Sequence, residues 1–207
     1  TSVLNSDIDK IADTLQNINV EAFEAAVDII LRAEHIYIIG LRSCEPLADF
    51  LTFYLNMIRP GVSCVKSSSM TELFEQMIRI DEKDAVVGIS FPRYSMRTLK
   101  AMEFANDRNA RIITLTDSEN SPMCMYSSVN LCARSDMVSI VDSLVAPLSL
   151  INALVVALCL RCPDQVSDNL KKLEDAWANY QVYLNDELNY LDDEPVLKNP
   201  LTRKEYE

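Results

Sequence analysis

The chain has 207 residues, 49% of them apolar, and a formal net charge of −12 from 19 Lys and Arg against 31 Asp and Glu. That length and apolar content support a sizeable buried core and exclude disorder over most of the chain. The acidic balance makes this polypeptide by itself a poor partner for nucleic acid, which gains affinity when Lys and Arg displace its counterions.

The first residues, T-S-V-L-N-S-D-I-D, lack the basic region and apolar stretch of a secretory signal. Residues 7–15 repeat Ile8, Ile11, Ala12 and Leu15 at helical spacing, and Asn19 is placed to cap a second helix over 20–33. Five short runs then read as strands, at 36–40, 62–66, 85–90, 111–116 and 128–133. Helical patterns separate them at 45–58, 70–79 and 94–108, while 117–126 holds only a loop or a short helical turn. Strands that are apolar throughout are buried on both faces, so the expected fold is an α/β three-layer sandwich. Its five-stranded parallel sheet is doubly wound, with helices on each side.

Residues 143–160 carry no charge and come close to the length of about 20 residues that spans a membrane. Pro147, Asn152, the flanking Asp142 and Arg161, and the lack of an aromatic or basic belt favour a helix buried in a soluble core, with no membrane partner. From about Pro163 a long helix places Leu170, Leu173, Trp177, Tyr180, Leu184, Leu188 and Leu191 in one stripe. That spacing suits an intersubunit seam and also packing onto its own domain. One domain over 1–192 is expected, followed by a tail at 193–207 with two prolines and no period.

Six cysteines, at 44, 64, 124, 132, 159 and 162, lie mostly in apolar runs, and a chain of this size needs no disulfide framework. Reduced thiols in a cytoplasmic protein are expected. Cys159 and Cys162 form a C-x-x-C pair without a second ligand pair nearby, so neither a metal nor a cofactor is expected.

The richest stretch chemically is 85–98, A-V-V-G-I-S-F-P-R-Y-S-M-R-T, which runs a buried strand into a turn that opens a helix. A helix start has unpaired amides and a partial positive charge, and Ser90, Arg93, Tyr94, Ser95 and Thr98 add side chains suited to a phosphate. The competing reading makes Ser95 a helix cap and Arg93 a solvated charge. Doubly wound sheets bind ligands beyond the carboxyl ends of their strands, and the other loops there also gather polar groups. They are Gly40, Arg42, Ser43 and Cys44 after the first strand, Ser67, Ser68 and Ser69 after the second, and Thr116, Asp117 and Ser118 after the fourth. This convergence favours the anion reading.

With these loops in place the chain resembles the sugar isomerase (SIS) domain, in the version carried by RpiR/MurR-family transcriptional regulators. The likeness covers about 8–162 and rests on I-Y-I-I-G-L-R-S-C-E-P-L-A-D-F-L, V-V-G-I-S-F-P-R-Y-S-M-R-T and I-I-T-L-T-D-S-E-N-S-P-M. It implies a flavodoxin-like strand order and a domain that senses a phosphorylated sugar as a homodimer or tetramer. It also implies contact with DNA only through a preceding helix-turn-helix domain of the same polypeptide. Since the first residues resemble the connecting helix, the chain is expected to be the effector-binding portion of a regulator, as a fragment or a stand-alone form.

The isomerase branch of the family has Ser-x-Ser-Gly-x-Thr at the phosphate turn, where this chain has Pro92 for the second serine, Arg93 for the glycine and Ser95 for the threonine. Its first-loop serine falls at Cys44 or Ser43. Isomerisation needs a base beside a carbonyl, yet the only histidine, His35, lies at the amino end of the first strand. Glu72, Glu75 and Glu119 are near the pocket by loop position only. No catalytic residue is therefore assigned, and binding without turnover is expected, with aldose–ketose isomerisation as the alternative.

Overall fold

The structure is a computed structural model that describes residues 1–66, 68–137, 140–180 and 182. Five strands, β1 (Ile36–Gly40), β2 (Val62–Cys64), β3 (Ala85–Ile89), β4 (Arg111–Thr116) and β5 (Val129–Cys132), form one sheet in the order β2-β1-β3-β4-β5. All four pairings are parallel. The order reverses between β1 and β3, whose carboxyl ends lie side by side through Gly40 and Ile89. A crevice for a ligand is expected there in folds of this kind.

Alternate residues of the central strands β1, β3 and β4 feed two cores. Ile36, Ile38, Ala85, Val87, Ile89, Ile113 and Leu115 pack with α2 (Val20–Arg32), α3 (Glu45–Ile58) and α6 (Val145–Arg161). Ile39, Val86 and Ile112 pack on the other face with α4 (Met70–Met77) and α5 (Met96–Asn106). Because both of their faces are covered, these central strands show no polar alternation in burial, and this makes them legible as buried strands. Gly88 lets α5 approach β3 closely, since a Cβ there would lie 2.6 Å from Met102 Sδ.

Most expected elements form close to their predicted bounds. β2 is shorter than the apolar run at 62–66, because Lys66 turns out of the sheet and its amide bonds to the Gln76 side chain. The segment after β4 forms a short 3-10 turn, Pro122–Tyr126. No single helix among the described residues is long and apolar enough to cross a membrane. α6 has seven buried residues and bends by 102° into α7 (Pro163–Tyr180). The start of α7 packs on its own domain, with Val166 buried, Leu170 against the core, and Asn169 Nδ2 donating to the carbonyls of Met57 and Ile58. Leu184, Leu188, Leu191 and the expected tail lie outside the described residues.

The first helix, α1 (Ser2–Gln16), turns its polar side inward. Lys10 is buried, donating to Ser6 Oγ at 2.8 Å beside the Asp7 carboxylate. Ser143 donates to Asp7, the Arg134 amide donates to Thr14 Oγ1, and the Arg134 guanidinium pairs with Asp13. The stripe that predicted the helix, including Ile8, Ile11 and Leu15, faces outward.

Candidate functional site

The four loops singled out in the sequence leave the carboxyl edge of the sheet after β1, β2, β3 and β4. After β1 the chain turns sharply at Gly40, where a Cβ would come within 2.6 Å of the Cys44 carbonyl oxygen, so the turn requires glycine. Arg42 follows with a positive φ of 60° and opens a 3-10 turn through Cys44. Arg42 and Ser43 are exposed, whereas Cys44 is buried. Burial pushes the Cys44 thiol up, partly offset by the neighbouring Phe91 main chain and Ser43 side chain. A neutral thiol is a weak donor, which leaves Ser43 and Arg42 as the stronger groups of this loop.

The loop after β2 is already bonded to itself. Glu72 Oε2 accepts both the amide and the hydroxyl of Ser68 at 3.2 Å, and Ser69 Oγ caps α4 by accepting from the Glu72 amide. Ser67 lies outside the described residues. The S-x-x-E spacing of Ser69 and Glu72 is the sequence signal of a capped helix start, and here the Glu72 carboxylate reaches Ser68.

After β3, Ser90 is buried and its hydroxyl oxygen accepts from the Ser95 amide at 3.0 Å, which draws the turn into a closed loop. Ser95 caps α5 by accepting from the Thr98 amide at 3.3 Å. The capping role expected as the competing reading is therefore present. It satisfies one amide of the first turn, and an anion at the same helix start would engage others. Thr98 is fully buried, and its Oγ1 is the only buried side-chain polar atom among the described residues without a hydrogen-bond partner. Arg93 is exposed at the tip of the turn.

Tyr94 joins the third loop to the fourth. Its hydroxyl donates to Asp117 Oδ1 at 2.9 Å, and the buried Thr116 hydroxyl lies 3.1 Å from the same oxygen and 3.0 Å from Ser121 Oγ. Burial and the bond to Asp117 raise the Tyr94 phenol, which therefore stays protonated as a donor at neutral pH. Sequence reasoning placed Tyr94 and Asp117 at one edge but gave no signal that they bond, because their contact spans 23 residues.

The electrostatics of the edge are decided by two guanidiniums. Neither Arg42 nor Arg93 forms an ion pair with a carboxylate among the described residues, whereas Lys66 is taken up by Asp49 and Glu45. Lys66 holds the Asp49 carboxyl below its usual range. Arg42 also borders an open groove along α3 with Glu45, Asp49, Phe50, Phe53 and Tyr54. His35 sits at the opposite edge with its Nδ1 3.1 Å from Asp84. No group of three or more His, Cys, Asp or Glu among the described residues is arranged to hold a metal. Burial, with Glu119 beside Cys132, pushes Cys132 up to about 12 and, with its other neighbours, Cys64 up to about 11, which leaves neither a ready nucleophile.

Residues 29–157 match the profile described as the SIS domain, more than half of the 207-residue chain. The chain belongs to the SIS domain family. An HTH-type transcriptional regulator of Thermotoga maritima is 22% identical to this SIS chain over 174 residues, covering 82% of the chain and 61% of the relative. The chain spans less than two thirds of the length of the curated relatives it matches. Among solved structures, the sugar isomerase domain of the RpiR transcription factor from Sphaerobacter thermophilus superposes with a TM-score of 0.80 at 27% identity, covering 84% of this chain and 97% of that one. NanR of Vibrio vulnificus, solved in complex with ManNAc-6P, superposes with a TM-score of 0.76 at 20% identity, covering 88% of this chain and 69% of that one. Isomerases share the fold at lower similarity, with a TM-score of 0.63 for the phosphoheptose isomerase of Neisseria gonorrhoeae.

Proposed function

We propose that this SIS domain is the effector-sensing part of a transcriptional regulator and binds a phosphorylated sugar at the carboxyl edge of its sheet, without turning it over. The observation that carries this reading is the pair of guanidiniums, Arg42 after β1 and Arg93 in the turn that opens α5, both at the carboxyl edge and without a carboxylate partner among the described residues of a protein of net charge −12. Cations left without partners at a helix N-terminus suit a dianionic ester. Gly40, Ser43 and Cys44 shape the first wall, and Ser68 and Ser69 the second. Ser90, Tyr94, Ser95 and Thr98 build the phosphate turn itself. The HTH-type relatives support a regulatory role, and the ManNAc-6P held by the NanR neighbour supports the phosphosugar class.

Isomerisation has weaker support. The sole histidine is at the far edge, and Glu72 and Glu119 each already accept hydrogen bonds, Glu119 from Asn130 and Cys132. Contact with DNA belongs to a helix-turn-helix domain outside this chain, and ligand control requires different affinities for two arrangements of the subunits.

A thermal-shift panel of phosphorylated sugars, amino sugars and acyl amino sugars, repeated with the dephosphorylated compounds, tests the reading. A ligand at 100 times its dissociation constant stabilises the fold by about 2.7 kcal/mol, a rise in Tm of several degrees that the dephosphorylated partner does not produce. Equal shifts from both forms, or none from any phosphorylated compound, refute it.

A further inference from the structure

A second concavity lies along the edge strand β5 and shares only the loop after β4 with the edge described above. Its volume is about 190 Å³, and it is bordered by the turn between α1 and α2, by that loop and by β5 itself. Ile18, Leu131 and Leu150 give it an apolar floor continuous with the core. Asn17, Asn19, Ser118 and Glu119 stand around the floor.

The bonds these polar groups already make decide which of their atoms remain open. Asn130 accepts from the Ser127 hydroxyl and so turns its amide nitrogen to Glu119, whose Oε2 accepts at 2.9 Å. Oε1 lies 3.7 Å from the Cys132 thiol, a weak donor. A carboxylate offers about four acceptor positions, so Glu119 can take further donors. It forms no ion pair among the described residues, and Arg134, two residues beyond Cys132, is taken by Asp13 and Asp136. The Asn17 amide nitrogen donates to the Asp13 carbonyl, which leaves the side-chain oxygen as an acceptor. Asn19 caps α2 through its oxygen and keeps its amide nitrogen, and Ser118 accepts from the Asn120 amide and keeps its hydroxyl proton.

We propose that this cavity binds a small primary ammonium compound in which a short carbon chain joins the ammonium to an oxygen acceptor. The ammonium matches Glu119 and the Asn17 oxygen, the ligand's oxygen matches Asn19 and Ser118, and the carbon chain matches the floor of Ile18, Leu131 and Leu150. Volume and charge set this class. At ~30 Å³ for each water the cavity has the room of about six waters, too much for a bare monatomic ion and less than the roughly 300–1,000 Å³ that takes a drug-sized ligand. Calcium takes about six to eight oxygens, several of them from carboxylates, and Glu119 is the one carboxylate among the described residues that line the cavity. A carboxylate on a convex surface needs only water, whereas Glu119 is held by Asn130 beside an apolar floor from which a ligand displaces water. This inference does not depend on phosphosugar binding.

Backbone amide shifts of the 207-residue chain, recorded during titration with ethanolamine and with glycinamide, test it. Ethylene glycol serves as the uncharged comparison and potassium chloride as the monatomic cation. Both amines are expected to give saturable shifts at Asn17–Asn19, Ser118–Glu119 and Asn130–Cys132, which neither comparison gives. Glu119→Gln keeps an acceptor for Asn130 and, being exposed, leaves circular dichroism and Tm unchanged, and it should weaken amine binding about 10- to 100-fold. Glu82→Gln, at the amino edge, should leave binding unaltered. Absence of saturable shifts with both amines, equal shifts from ethylene glycol or potassium chloride, or equal binding by Glu119→Gln overturns the proposal.

Discussion

At the amino edge of the sheet, Asp84 is buried and accepts from the His35 amide, the His35 ring and the Asp81 amide, each at 3.1 Å. Nearby, the Arg59 guanidinium donates to the carbonyls of Ile30 and Ala33 that end α2. At the carboxyl edge, Arg42 and Arg93 stand exposed without carboxylate partners among the described residues, beside a turn whose serines bond only to local amides. One edge uses its charges to close helix and strand ends, and the other holds Arg42 and Arg93 in reserve. Both edges carry charged side chains, so for these charges the difference lies in whether partners lie within the chain. A ligand site is marked by groups that folding leaves unspent.

This contrast can be broken at each edge in turn. Replacing Asp84 with Ala removes the acceptor for two amides, and urea unfolding is expected to show a loss of about 2–4 kcal/mol with phosphosugar affinity unchanged in the folded protein. An effect on affinity of comparable size would mean that the edges are coupled and the contrast is false. Arg93→Ala should do the reverse: stability stays within about 0.5 kcal/mol because the side chain is exposed, while binding falls about 10- to 100-fold by calorimetry. Ser95→Ala sharpens the comparison because it belongs to both categories. Loss of the α5 cap costs about 1 kcal/mol of stability, and binding falls by about 1–3 kcal/mol if the hydroxyl also serves the phosphate. A change in stability alone leaves Ser95 as a cap and nothing more.

The strands were legible because burial on both faces leaves uninterrupted apolar runs such as Ile36 to Gly40, and the doubly wound order follows from their alternation with helices. The loops of the site were legible for the same reason, since topology alone brings their residues to one edge. Side-chain pairing was not. The Tyr94–Asp117 bond depends on the reach of two loops, and Glu72 turning back onto Ser68 depends on the rotamer of a loop carboxylate. Periodicity identified α1 but not its direction. Ile8, Ile11 and Leu15 define a helix face whichever way it points, and only the buried Lys10, Asp7 and Thr14 contacts turn it outward.

The central claim is that the carboxyl edge receives the phosphate, and backbone amide shifts recorded during titration with a phosphosugar that raises Tm test it most directly. The largest changes are expected at Arg42–Cys44 and across Ser90 to Thr98, with His35, Asp81 and Asp84 unmoved. Changes centred on the His35–Asp84 edge, or spread without preference for the Ser90 turn, would contradict it.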